Sequence, residues 1–468
     1  MISKVKTKLK FNAPATASLW YIFSNIFARG TTFLFTPLFT RLLPPEEYGV
    51  YSLYISFMGI FTVLTTLEIS GALTYRGLAK FKGEEDSFIS SLLGVQLLLT
   101  ASSLILYTLF RKSVNSVTSL STPLSVLLIL QIFLNSAEGI YFAQKRYFYE
   151  YRTVSAINII TGILSPFLAL FLIRHGYGGT ARIIAPFLVS VFAVVPIVRL
   201  ILKRGGSLFQ KDGWKFTFKT ALPMLPHFIA LSVIAQGDKI IVARLIGEGA
   251  VGSYSVSYSA GIILLLITGG ISLAINPYII KNMSAGKDKI RGALDGVTRL
   301  LSIIILLFLS VIPEVFGIIA PPEYYGAFSV VYPVGISVIF SFLATTFSTV
   351  ILHYEKPMKI TKNSLICATV SVILCFFLIK RLGYIGGAYA TLISYFLLFA
   401  LNFFTARKLA DTDILSVKKS SVSFLLLFSF SVFLFLLRKI FLARFFVIFA
   451  LSAMLLYEGG KCKNLLVK

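Results

Sequence analysis

Polar side chains recur at helical intervals inside long apolar stretches of this chain. Ser18, Asn25, Arg29, Thr32 and Thr36 follow one another at steps of 7, 4, 3 and 4, which sets them on one face of a helix. Gln131, Asn135 and Glu138 are spaced 4 and 3, and Ser232, Gln236 and Lys239 repeat that spacing. An ionisable side chain at mid-membrane costs on the order of 2.5–3.5 kcal/mol on insertion scales, so each needs a reason to be there. Stripes of this kind would line a water-filled cleft. Arg29 and Lys239 suit an anionic ligand, because a guanidinium grips phosphate with two bonds and an ammonium acts as a point charge. Competing arrangements exist for both: Arg29 could close an ion pair with Glu138, and Lys239 could pair with Asp238 or reach to the surface. A carboxylate beside a cation in a wet cleft could also titrate, which makes Glu138 a candidate for ion coupling. Glu68, within reach of Arg76, and Asp238 read as structural acids. Arg299 opens another apolar stretch, where it meets a ligand or snorkels. Ser337, Ser341, Thr345 and Ser348, at steps of 4, 4 and 3, favour close helix packing over recognition.

The elements that hold these residues follow from composition. Of 468 residues, 57% are hydrophobic and only 13% charged, about half the charge of a soluble domain. A soluble core of this size cannot hide that much apolar surface, so lipid is the solvent, and a soluble enzyme, a nucleic-acid-binding domain and a disulfide scaffold are excluded. Apolar runs long enough to span occupy about 15–42, 48–73, 88–110, 122–142, 153–173, 183–202, 218–246, 250–278, 293–319, 326–352, 363–380, 384–406, 420–437 and 440–457. The expectation is an all-α polytopic membrane protein of about fourteen helices. The first run is too long for a signal-peptide core and is read as a retained helix. The three cysteines, Cys367, Cys375 and Cys462, form no disulfide or zinc pattern.

The net charge of +25 is mostly a topology signal. With the N-terminus inside, cytoplasmic segments carry 30 of the 44 Lys and Arg residues and the opposite loops 11. That bias fits both termini in the cytoplasm. Arg29, Lys239 and Arg299 are read as the cations within helices. The longest loop, 203–217, carries Gly205-Gly206 and marks the joint between two halves. An internal repeat supports this division: 41–52 aligns without a gap on 244–255, and six of sixteen pairs from Arg41/Arg244 to Ser56/Ser259 are identical. A repeat displaced by six helices keeps its orientation, so the halves would be parallel, a transporter architecture. The expected divisions are 1–204 for helices one to six, 205–410 for helices seven to twelve, and 411–468 for a final pair. Pro223 and Pro226 interrupt the seventh run near its start and would let it bend.

Thr40-Arg41-Leu42-Leu43-Pro44-Pro45-Glu46-Glu47-Tyr48-Gly49-Val50-Tyr51 resembles the first outer turn of lipid-linked oligosaccharide flippases, the polysaccharide-exporter branch of the multidrug/oligosaccharidyl-lipid/polysaccharide superfamily. Asp238-Lys239 through Arg244-Leu245-Ile246-Gly247, then Val251-Gly252-Ser253-Tyr254, resembles the matching second-half signature, and Gly383-Tyr384-Ile385-Gly386-Gly387-Ala388 the small-residue start of the twelfth helix. The resemblance implies flipping of polyprenyl-diphosphate-linked glycans, undecaprenyl or another, between leaflets of the cytoplasmic membrane by alternating access of two lobes. Under it, Arg29, Lys239, Arg299, Asn25 and Gln236 are the expected diphosphate or cavity contacts, and Glu138, Glu68 and Asp238 the expected coupling or ion-pair acids. No cofactor or metal is implied, and no nucleic-acid partner; membrane lipids and glycan polymerase machinery are the expected partners.

Rival functions fare worse on the residues. An ATP-driven pump needs a phosphate-cradling GxxxxGK[ST] loop, and the nearest stretch, Ser284-Ala285-Gly286-Lys287, has Lys281 where the first glycine belongs. A membrane-embedded glycan polymerase or ligase needs a sizeable outer loop with catalytic residues, and the outer loops here are short, so the chain is read as a non-enzyme. A drug/cation antiporter of the same superfamily should show acids dominating the cleft, whereas cations are at least as prominent here.

Overall fold

The computed structural model describes residues 13–283, 287–411 and 414–467. Residues 4–10 and 284–286 lie outside the described residues, as do the side chains of Ser18, Asn25, Arg29, Thr32 and Cys462. The described chain is helical, and eleven stretches are long and apolar enough to cross a membrane, one of them, Tyr151–Gly205, long enough to cross twice. The protein is a polytopic membrane protein.

In chain order the helices are α1 (Ala13–Leu42), α2 (Pro45–Thr66), α3 (Ala72–Lys80), α4 (Glu85–Leu109), α5 (Arg111–Thr118), α6 (Thr122–Tyr147), α7 (Tyr151–Leu172), α8 (Ala181–Gly205), α9 (Lys211–Ala221), α10 (Leu225–Leu245), α11 (Glu248–Ile262), α12 (Leu265–Asn282), α13 (Lys287–Ile319), α14 (Val331–His353), α15 (Pro357–Leu382), α16 (Tyr384–Ala410), α17 (Val417–Leu436) and α18 (Phe441–Val467). Short α3, α5 and α9 are additions to the fourteen apolar runs, and α11 and α12 share one run. The stretch read as the longest loop is therefore mostly helical, holding the end of α8 and the first part of α9.

Two compact units result: Met1–Leu42 with Phe57–Phe228, and Leu43–Ser56 with Ile229–Lys468. The expected joint lay at 204/205, whereas α9 packs with the first unit. Its Phe216 ring stands 5.8 Å from Phe81 and 6.0 Å from Phe88, with the Lys80 ammonium 4.8 Å above it. Phe88, Ile89, Leu92, Leu93 and Ile140 form the centre of the first unit's core.

The second apolar run is broken. Leu67 and Glu68 adopt left-handed φ values of 51° and 52°, which end α2 and restart the chain as α3. Leu67 and Ile69 on either side of Glu68 turn into the core, so apolar burial holds a conformation that costs ordinary residues free energy. The side chain of Gln96 on α4 donates to the Thr65 carbonyl at 3.1 Å, which satisfies a backbone group near the break. Ser136 on α6 donates to the other end of that amide at 2.9 Å.

In the second unit the repeated turns meet each other. A Cβ built on Gly49 would fall 2.1 Å from the carbonyl oxygen of Glu248, and one on Gly252 would fall 1.9 Å from that of Pro45. Residues 45 and 248, like 49 and 252, are related by the 203-residue offset, so the contact is reciprocal. A third stretch that resembles the first turn, Pro321-Pro322-Glu323-Tyr324-Tyr325-Gly326, joins them: Tyr324 donates to the Leu43 carbonyl at 2.7 Å and packs edge-on against Tyr48.

The final pair, α17 and α18, is tied to α13. Arg444 is buried in α18 and bonds the Ser310 carbonyl at 2.9 Å and both oxygens of Glu314. Asp295 accepts from the Ser416 backbone at 3.0 Å, at the start of α17.

Candidate functional site

Lys239 and Asp238 sit in α10 behind an interrupted approach: a three-residue 3-10 turn, Leu222–Met224, separates α9 from α10 beside Pro223 and Pro226. Asp238 is 1% exposed and Lys239 8%. A buried carboxylate and ammonium need full hydrogen bonding to offset their lost hydration. Asp238 Oδ1 accepts from the Lys239 backbone N–H at 2.8 Å and stands 3.6 Å from its ammonium. Asp238 Oδ2 accepts from the Tyr254 hydroxyl at 2.6 Å and the Thr391 hydroxyl at 3.1 Å. The Lys239 ammonium donates to the Ala235 carbonyl at 3.0 Å and Gln236 Oε1 at 3.3 Å, and lies 3.8 Å from the Tyr258 ring centroid.

The flanking motifs make that cluster possible. A Cβ on Gly387 would sit 3.3 Å from the Tyr254 hydroxyl, and one on Gly386 would collide with the Leu378 carbonyl at 2.1 Å. The paired glycines thus let α16 approach both α15 and α11. Tyr384 of the same motif donates to the Gly326 carbonyl. The cluster therefore binds α10, α11 and α16 into one body. Asp238→Asn, which removes the counter-charge of Lys239, is expected to cost about 3 kcal/mol, read as a lower thermal midpoint of the purified protein; Asp238→Asn with Lys239→Met should recover most of it.

The other sequence candidates are distributed as follows. Gln131 on α6 donates to Asn135 at 2.7 Å and to Ser190 of α8 at 3.1 Å. Glu138 is half-buried one turn beyond Asn135, and among the described residues it forms no ion pair. Glu68 occupies the left-handed turn after α2, where its backbone N–H bonds Thr66 at 3.2 Å; no ion pair with Arg76 is formed among the described residues. Arg299, exposed, stands 3.7 Å from Glu458 of α18. Gln236 is engaged by Lys239. The α14 hydroxyls of Ser337, Thr345 and Ser348 bond their own helix, as close packing requires. Sequence reasoning missed the Arg444–Glu314 pair; the signal was a guanidinium alone in the run 440–457 and a carboxylate among apolar neighbours late in the run 293–319.

The family described as polysaccharide biosynthesis protein matches residues 16–283. An uncharacterised membrane protein of Haemophilus influenzae is 22% identical over 387 residues, covering 80% of this chain and 90% of its own. A probable low-salt glycan biosynthesis flippase of Haloferax volcanii is 21% identical over 394 residues, 81% of each chain. Among solved structures, the lipid II flippase MurJ in an inward closed conformation superposes with a TM-score of 0.70 at 18% identity, covering 97% of this chain and 100% of that one. An inward-facing multidrug resistance transporter of the MATE family follows with a TM-score of 0.63 at 14% identity, covering 82% and 94%. These likenesses establish a common fold. With more than half of its length matched, the chain belongs to the polysaccharide biosynthesis protein family.

Proposed function

We propose that the protein flips a polyprenyl-diphosphate-linked oligosaccharide from the inner to the outer leaflet by alternating access, for cell-surface polysaccharide synthesis. The observation that carries this reading is family membership together with likeness, over four-fifths of both chains, to a relative described as a glycan biosynthesis flippase. The charge pattern agrees with it. Thirty of 44 cations fall on one side, which supports both termini in the cytoplasm and the cytoplasmic membrane as the location.

Arg29, which shares the sequence spacing of Asn25, is the diphosphate contact in this reading, and Gln236 and Arg299 contribute to the cavity and its cytoplasmic mouth. Lys239, whose ammonium is held by Asp238, Gln236 and Ala235, braces α10. Glu138 is the carboxylate available for coupling to an ion gradient. The reading involves no covalent step and no cofactor, and the flipped glycan passes to polymerase machinery outside. Deleting the gene should cause lipid-linked glycan to accumulate in the inner leaflet with loss of surface polymer, and restoring it should reverse both. Accumulation of a cationic drug without change in glycan would favour the antiporter reading instead.

A further inference from the structure

The first unit holds an apolar cavity of about 290 Å³ that none of the roles above uses. The second half of α2 contributes Phe61 and Leu64, α4 contributes Leu106 and Phe110, α6 contributes Leu128 and Ile129, and α5 closes one end with Val114. Five lining residues carry hydroxyls, and each is already engaged. Thr65 donates to Phe61 O at 2.8 Å, Ser103 to Leu99 O at 2.8 Å and Thr118 to Val114 O at 2.9 Å. Tyr107 and Ser125 both donate to Asn115 Oδ1, at 3.0 and 3.2 Å. Asn115 of α5 in turn donates to Thr122 at 2.9 Å, pinning this short helix across the gap between α4 and α6. No lining hydroxyl has a proton left to donate into the space, and the rest of the lining is hydrocarbon, so the space suits an apolar chain.

The mouth indicates what the hydrocarbon belongs to. Leu64, Leu106 and Phe110 line the cavity yet are 44%, 56% and 59% exposed, so it opens where a membrane protein meets lipid. Arg111 and Lys112, both exposed, follow Phe110 directly, and no Asp or Glu occurs from 87 to 137. An amphiphile whose chain fills the cavity would present its headgroup to two cations that form no ion pair among the described residues. We propose that this cavity is a binding site for one acyl chain of an anionic membrane phospholipid, with Arg111 and Lys112 meeting its phosphate. The site lies wholly within the first unit and does not depend on which glycan is carried.

The test uses the full chain in nanodiscs containing phosphatidylglycerol with a photoactivatable diazirine on one acyl chain, with adducts mapped by peptide mass spectrometry. Adducts are expected to concentrate within 103–129. Ser103→Trp, which fills the cavity, should bring them to background while labelling of the lipid-exposed face of α18 stays unchanged. Arg111→Gln and Lys112→Gln, on the surface, should each weaken the preference for phosphatidylglycerol over phosphatidylethanolamine by about five-fold. Labelling of 103–129 no stronger than of α18 would overturn the proposal. So would displacement by equimolar polyprenyl phosphate, which would assign the cavity to an isoprenoid chain.

Discussion

Valine at position 252 is expected to leave no stably folded protein. The Gly252 Cα approaches the Pro45 carbonyl so closely that even a Cβ would stand 1.9 Å from the oxygen and 3.1 Å from the Gly49 backbone nitrogen. Both obstacles are backbone, so no rotamer relieves them and one helix must move away from the other. Overpacking in ordinary cores costs 1–3 kcal/mol, occasionally more; a clash with helix backbone belongs at or beyond the top of that range. Against a typical stability of about 5–15 kcal/mol, Gly252→Val should convert a monodisperse peak in fluorescence-detected size-exclusion chromatography into aggregate. Gly49→Val should do the same, because its Cβ meets Glu248 in the mirrored position. Gly269→Ala and Gly270→Ala are the controls: both lie in α12 with nothing within 4 Å of the new atom, and alanine there should stabilise by about 0.5–1 kcal/mol through helix propensity. Equal tolerance at 252 and 269 would remove the reciprocal contact from the account of the fold.

Arg29→Ala is expected to abolish glycan export while the protein still inserts at its normal level. If the guanidinium makes the bidentate contact that a diphosphate invites, losing about 3 kcal/mol from that contact slows transport roughly hundred-fold. Arg29→Lys should recover only part of it, since an ammonium restores the charge without the fork. Surface-glycan staining in a complementation strain, normalised to the membrane level of the protein, reads both. The rival arrangement, an Arg29–Glu138 pair that only holds the first unit together, makes a different forecast. Glu138→Gln would then lower protein level as Arg29→Ala does, and exchanging the two residues would restore it. Near-normal export by Arg29→Ala at normal protein level would end its role in the headgroup site.

What was legible in the sequence followed from the strongest physical constraint. A membrane span must be long, apolar and internally hydrogen-bonded, so the fourteen runs located the major helices. Breaks within runs were hidden. Leu67 and Glu68 carry no glycine or proline signal for a left-handed turn; the conformation is held by Gln96 and by burial of Leu67 and Ile69, contacts that exist only once α4 and α6 are packed. The offset-203 repeat was readable as identity, but identity says nothing about the two turns touching. In the polar clusters, residue type and spacing gathered Gln236, Asp238 and Lys239 onto one helix. They could not reveal Tyr254 and Thr391, which arrive from α11 and α16, and it is these that orient the carboxylate. The Arg444–Glu314 pair was hidden because its two members stand 130 residues apart.

The reciprocal glycine contact also imposes an order on biogenesis. The first turn of α2 enters the membrane early in translation, yet the surface that accepts it belongs to α11, about 200 residues further along the chain. Until that segment leaves the translocon, the groove at Gly49 has no partner, and the first turn of α2 must wait unpaired. Contacts of such long sequence separation are slow to form and leave intermediates exposed. Nascent chains stalled before α11 are therefore the species that membrane quality control should recognise, and the ribosome's pace across 205–248 becomes part of how this protein reaches its fold.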